Sequence, residues 1–396
     1  MIDGIWSQVV GQPEAIAILR SAAAAAASIV DGSGSGSGMI HAWLFTGPPG
    51  SGRSVAARAF AGALECATGR GCGECPGCRT TITGTHADVR LVVPEGLSIS
   101  VAEMRALVQT SARRPTGGRW QVVIIEDADR LTEGAANALL KCIEEPPERT
   151  VFLLCAPSDH PDDVPVTIRS RCRPVALRTP SATAIAEVLQ LRDGIDADTA
   201  RWAASVCGGH VGRARRLATD PAARDRRAAV LRIPLHLRRL SDVFECADDL
   251  VKTAEADATE VSERRDDAEK EALKTAMGYG GTGKGAAAAS RGSAGAIKEL
   301  EKRQKSRATR TQRDALDLAL VDLAGFYRDV LVAGSRSTAV LTHPDHAADV
   351  AKAAGAWTPE STLRRLEAVL ACREAIELNV KPRIAVEAML TALYRG

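Results

Sequence analysis

The turn Gly47-Pro48-Pro49-Gly50-Ser51-Gly52-Arg53-Ser54 has the spacing of a phosphate-binding loop, G-x-x-x-x-G-[K]-[ST], with Arg53 at the lysine position. Such a loop joins a strand to a helix and aims backbone N–H groups and the positive helix end at one point, which suits a polyphosphate. The lysine reaches the outer phosphates as a compact charge, and the hydroxyl, here Ser54, holds magnesium. Arginine keeps the charge but is a bulky planar fork, so the exchange is not neutral. A second cluster is Cys66, Cys72, Cys75 and Cys78, whose last three members form C-x2-C-x2-C. Four thiols crowded into 13 positions suit tetrahedral zinc in a closed structural site, and Gly71, Gly73 and Gly77 ease the turns between them. A third cluster, Glu126-Asp127-Ala128-Asp129, follows a nearly unbroken apolar run. Acidic residues at the end of such a strand, beside a phosphate loop, are where magnesium and an attacking water are handled.

These groups need a scaffold, and the hydrophobic pattern describes one. Trp43, Leu44 and Phe45 read as a short buried strand, and Val55 to Glu65 as the helix after the loop. Val89, Leu91 and Val93 alternate as a strand, and Ile99 to Arg113 reads as a helix. Arg119 to Ile125 is apolar enough for a parallel strand covered on both faces. Thr132 can cap a helix whose buried face is Ala135, Ala136, Leu139, Leu140 and Ile143. Glu144-Glu145-Pro146-Pro147 ends it, because proline removes a donor and restricts its predecessor. Thr150 to Cys155 is another buried strand. Alternating strands and helices around a nucleotide turn predict an α/β doubly wound parallel sheet. Upstream, Pro13 opens a helix carrying Ile16 and Leu19, while Trp6, Val9 and Val10 read either as core or as the lining of an adenine pocket. Gly32 to Gly38 is a Gly/Ser loop.

At 396 residues the chain is too long for one ordinary core, and two or three domains are expected. An apolar content of 45% with 25% charged residues is that of a soluble globular protein. No uninterrupted run of 18 apolar residues occurs, so no membrane span is expected. No basic stretch followed by an apolar one opens the sequence, so no secretory signal is expected either. Ten cysteines in a long chain with a nucleotide loop point to a reduced compartment, the cytoplasm. With a net charge of only +2, nucleic acid would be met through local patches rather than a strongly basic surface. From Ser241 the pattern is helical, with charge runs at Glu263–Lys274 and Lys298–Arg310 around a Gly/Ala/Ser-rich stretch. Gly280 to Gly285 imitates a phosphate loop but lacks the flanking strand and reads as a hairpin tip. Asp317–Val332 and Val380–Tyr394 are amphipathic helices suited to packing between subunits.

Taken together, these stretches resemble the AAA+ clamp-loader subunits of bacterial DNA polymerase III. The resemblance rests on Val10-Gly11-Gln12, the phosphate loop, the four-cysteine insert, Asn137-Ala138-Leu139-Leu140-Lys141 running into Glu144-Glu145-Pro146-Pro147, and Ser170-Arg171-Cys172. It covers residues 1 to about 220 and returns near Asn379-Val380-Lys381-Pro382-Arg383. It implies an AAA+ domain over residues 1–179 with a zinc module at 66–78, a helical lid at 180–240, and a helical collar at 241–396 bearing a charged insertion at 260–310.

The resemblance also assigns roles. Val10, Gly47, Gly50, Gly52, Arg53, Ser54, Glu126 and Asp127 would meet ATP or ADP and Mg2+, and Arg213, in Gly208-Gly209-His210-Val211-Gly212-Arg213, would stand as a second sensor of phosphate. His210 itself reads as a surface residue. Cys66, Cys72, Cys75 and Cys78 would hold structural Zn2+. Arg171 would point into a neighbouring subunit's ATP site as a finger in trans. The family contains an ATP-hydrolysing gamma/tau motor and a delta-prime kind. Arg53, Glu126 at the magnesium aspartate, Asp127 at the catalytic glutamate, and Ala156-Pro157 at the γ-phosphate sensor all depart from the motor. Phosphoryl transfer is mostly positioning, and a displacement near 1 Å can cost roughly a hundredfold. A weak or absent ATPase with an intact Arg171 implies the delta-prime kind, working with gamma/tau, delta, the sliding clamp (beta) and primer–template DNA. The alternatives are a motor subunit and a nonenzymatic zinc-stabilised DNA-binding protein.

Overall fold

A computed structural model describes residues 4–34, 38–94, 96–111, 114–276, 286–335 and 337–396. They divide into two compact units, one ending at Ala218 and the other beginning at Thr219.

The first unit is built on strands β1 (Ala42–Thr46), β2 (Val89–Val92), β3 (Gln121–Ile125), β4 (Thr150–Ala156) and β5 (Arg173–Ala176), paired in parallel in the order β2-β3-β4-β1-β5. Every residue of β1, β3 and β4 is buried, which is why their sequences are apolar apart from the terminal Thr46, Gln121 and Thr150. Alternate residues still serve different layers. Trp43, Phe45, Val122, Ile124, Val151 and Leu153 face one core. That core is closed by helices α1 (Pro13–Val30) and α2 (Arg53–Leu64). Leu44, Val123, Ile125, Phe152 and Leu154 face the other, closed by later helices. Each large side chain so buried contributes about 1.5–3 kcal/mol relative to exposure.

Helix α3 (Pro76–Ile82) begins within the cysteine cluster, and α4 (Val101–Ser111) and α5 (Glu133–Glu144) cover the second face. Thr132 caps α5 as the sequence predicts, its hydroxyl accepting from the Ala135 N–H. Periodicity gives Val164–Cys172 no element, and there the chain forms the single turn α6 (Val166–Arg169) before β5. Helices α7 (Ala182–Leu191), α8 (Ala197–Val206) and α9 (Val211–Thr219) follow. Helix α1 is long and apolar enough to cross a membrane, although no uninterrupted apolar run exists. It carries Glu14 and Arg20 and buries Ile16, Leu19, Ala22, Ala23 and Ala26 in the first core, so here it is a core helix.

The second unit is helical: α10 (Pro221–His236), α11 (Leu240–Ala276), α12 (Ala286–Gly334), α13 (Ala347–Ala356), α14 (Pro359–Glu377) and α15 (Pro382–Arg395). Leu320, Leu323, Phe326, Val369, Val386 and Leu390 share its core. Helices α11 and α12 run antiparallel: Gln312 bonds Glu255, and Arg307 bonds Asp266 and Glu269. The expected tip at Gly280–Gly285 lies outside the described residues.

Candidate functional site

The loop after β1 passes through Gly47, Gly50 and Gly52, all at positive φ (152°, 84° and 90°). At Gly50 a Cβ would lie 2.7 Å from the Cα and Cβ of His210, so only glycine fits. Arg53 opens α2, with Ser54 half-buried behind it. The Arg53 guanidinium turns back on its own loop, Nη1 donating to the Gly47 carbonyl at 2.8 Å. The Gly47 N–H donates to the Pro157 carbonyl at 3.1 Å.

Glu126 and Asp127 leave the end of β3 close to that loop, but their chemistry is already partly committed. Arg58, one turn into α2, reaches Glu126 with Nη2 at 2.7 Å from Oε1. Asp127 stands at φ 51°, a left-handed conformation that turns the chain into the short 3-10 segment Ala128–Arg130. Burial, and after it the Asp127 charge, raises the Asp129 carboxyl above the ordinary range. Its Oδ1 is buried without a hydrogen-bond partner among the described residues. Periodicity gives no sign of Arg58, because what recruits it is the approach of two segments far apart in sequence.

Gln12 fixes how the loop sits. It is 5% exposed, and its amide donates to the Ser51 carbonyl at 3.2 Å and the Arg178 carbonyl at 2.5 Å, while Oε1 accepts from the Arg178 N–H at 3.1 Å. Trp6 and Val9 are buried in the first core, Trp6 donating to the Arg70 carbonyl, whereas Val10 is half-buried. His210 is half-buried over Gly50, and its Nδ1 accepts from the Arg213 N–H at 3.2 Å. Burial, with the Arg213 charge nearby, holds its pKa below the usual histidine range.

Arg171 lies on a different edge of the unit. Its side chain is 40% exposed; Nη1 donates to the Thr167 carbonyl at 2.9 Å and the Ser170 hydroxyl at 3.3 Å, and Nη2 meets Glu144 Oε1 at 2.8 Å. Glu144 is the last residue of α5, immediately before Glu145-Pro146-Pro147.

The cysteines come together as their spacing predicts. Cys66 follows α2, Cys75 caps α3 and Cys78 lies within it, and the four Sγ atoms fall within 4.8 Å of one another. Cys66 Sγ is 3.7 Å from Cys72 Sγ and 3.9 Å from Cys75 Sγ. A zinc tetrahedron with legs of about 2.3 Å has edges of about 3.8 Å, so the donor set fits that metal. Against burial, which opposes ionisation, hydrogen bonds from Thr68 and the Cys72 backbone bring the Cys66 thiol down to about 5. Burial pushes Cys78 up. Glu65, one residue earlier, is almost fully buried and accepts the backbone N–H groups of Arg119 and Trp120 at 2.8 and 3.1 Å, joining this module to the start of β3. Burial raises its carboxyl to about 7 in spite of those bonds.

A family model described as DNA polymerase III, delta subunit, matches residues 27–181. The chain is 34% identical to DNA polymerase III subunit tau of Bacillus subtilis over 166 residues, 39% of this chain and 29% of that protein. It is 32% identical to subunit delta' of the same organism over 205 residues, 51% of this chain and 61% of that protein. With subunit delta' of Pseudomonas aeruginosa it shares 39% identity over 154 residues, 38% and 46% of the two chains. The matches thus span less than two thirds of these relatives, and the two kinds are similar to the same degree. Among solved structures, a DNA polymerase III gamma subunit-related protein from Thermotoga maritima aligns over 90% of this chain and 94% of its own, at 15% identity and a TM-score of 0.40.

Proposed function

We propose that the chain is, through its N-terminal unit, a DNA polymerase III clamp-loader subunit of the delta-prime kind, a reading supported by its similarity to delta-type family members over residues 27–181. It helps place the sliding clamp on primed DNA and lends an arginine to a neighbour's ATP. The observation that carries this reading is a contrast between two arginines. Arg53 is folded onto the Gly47 carbonyl of its own loop and Arg58 engages Glu126 after β3, whereas the Arg171 side chain stands 40% exposed. A loop in that state is poorly prepared to bring magnesium and water to a γ-phosphate, since phosphoryl transfer depends on positioned charge. Nucleotide, when bound, would rest on Gly50, Gly52, Arg53 and Ser54 with Val10 and Arg213 beside it, and Mg2+ would need Ser54 and Glu126. Zn2+ would be held by Cys66, Cys72, Cys75 and Cys78, and would cross-link the insert without taking part in chemistry.

In this reading the partners are gamma/tau and delta subunits, the sliding clamp and primer–template DNA in a shared chamber, held by backbone contacts rather than base readout. The compartment is the cytoplasm. The similarity to tau supports a rival reading as an ATP-hydrolysing motor. Two measurements divide them. The purified chain alone is expected to show no turnover above background, and hydrolysis at several per second would make it a motor. In the reconstituted loader, Arg171→Ala is expected to slow ATP turnover at the neighbouring site strongly, trans arginines contributing on the order of 10³ in well-studied cases. An unchanged rate would remove the trans role.

A further inference from the structure

The proposed trans role leaves open how Arg171 is kept when no phosphate faces it, and the surroundings of its guanidinium give an answer. One end of the fork, Nη1, is fixed by its own turn, through the Thr167 carbonyl and the Ser170 hydroxyl. Those acceptors are neutral and local, and they orient the side chain without help from elsewhere. The other end, Nη2, is taken by Glu144, which comes from a different helix and is the only acceptor of the three with a charge. Both partners are about two-fifths exposed (40% and 41%), so the pair is in contact with solvent and can be parted. A phosphate carries more charge and more acceptor oxygens than one carboxylate, and would displace it in a close encounter. We propose that Glu144 is a resident competitor for Arg171: it occupies the outer nitrogen in the unengaged subunit and yields it to the phosphates of a nucleoside triphosphate on an adjacent subunit.

This inference rests on the trans-arginine reading, and it makes Glu144 a positioning residue that opposes engagement. Glu144 is itself well placed to be dispensable for folding. It is half-exposed and sits at the C-terminal end of α5, where a negative charge is disfavoured by the helix dipole. Glu144→Gln should therefore leave the melting temperature of the subunit no lower than that of the wild type.

The test is ATP turnover of the reconstituted assembly, with its partner ATPase subunits, for wild type, Glu144→Gln, Arg171→Ala and the double variant. A half-exposed pair biases an equilibrium by no more than about fivefold. Glu144→Gln is expected to raise kcat two- to fivefold by that scale, with a smaller gain at high salt, where the wild-type pair is already screened. The double variant should be no faster than Arg171→Ala. If Glu144→Gln is as slow as wild type or slower while Arg171→Ala is impaired, Glu144 is not a competitor and the proposal fails alone. If Glu144→Gln still accelerates in the absence of Arg171, it acts elsewhere and the proposal also fails. If Arg171→Ala has no effect, the trans-arginine reading falls and takes this inference with it.

Discussion

At the scale of single residues, the first unit works by occupying its reactive groups with one another. Arg53 takes a carbonyl of its own loop, Arg58 takes Glu126, and Gln12 ties the loop to the segment leading to α7. Gln12 is the most exposed to a test. Replacing it by alanine leaves the buried Ser51 carbonyl and the partly buried Arg178 N–H without their partner, a loss of about 1 kcal/mol or somewhat more. Gln12→Ala is expected to lower the denaturant midpoint of the first unit by that amount, and an unchanged midpoint would show that Gln12 does not hold the loop. The sequence displays Gln12 only as part of a familiar triplet, with nothing to say what it bonds. Loop glycines are different: Gly47, Gly50 and Gly52 announce their positive φ by their type and spacing. Arg58 and Glu144 are silent, because a salt bridge between distant segments leaves no periodic trace.

At the scale of elements, the strands covered on both faces were the plainest to read, although the uncovered β2 also showed in the alternation of Val89, Leu91 and Val93. Strands β1, β3 and β4 are covered on both faces and stand out as apolar runs with a polar residue only at one end. Strand β5 is short and mostly uncovered, and α6 is one turn, so neither carries a pattern to detect. The charge runs at 263–274 and 298–310 in part face each other. Arg307 lies between Asp266 and Glu269, and Gln304 donates to the Asp266 carbonyl. Its hydrogen bond with Arg307 is the largest cause that holds the Glu269 carboxyl at about 2, below its ordinary value of 4.5. A depressed carboxylate stabilises the fold above its unfolded pKa, and that stability is lost as pH falls through the folded value. The α11–α12 pairing should therefore weaken between pH 4.5 and 2, seen as lower amide-exchange protection, relative to the intrinsic rate at each pH, in residues 260–272. In Arg307→Ala that acid-dependent change should disappear, the lower protection being present already at pH 7. Exchange that does not respond to the substitution would mean the apolar seam alone holds the pair.

At the scale of the whole molecule, two compact units with separate cores predict two unfolding transitions. The cysteine cluster lies wholly in the first. Calorimetry of the metal-loaded protein, before and after chelation, is expected to move one transition downward and leave the other in place. Cys75→Ser should do the same and lose about one bound ion, as one closed four-ligand site requires. A shift of both transitions, or of neither, would count against a metal that cross-links the first unit alone.

The short path through Glu65 gives that cluster a reach beyond its own turns. One carboxylate grips the two amides just ahead of β3, Arg119 and Trp120, at the end of the strand opposite to the acidic pair Glu126-Asp127. Anything that lets the cysteine insert drift would slacken the anchorage of a central ribbon of the sheet, and the disturbance would surface at its opposite end, next to Arg53.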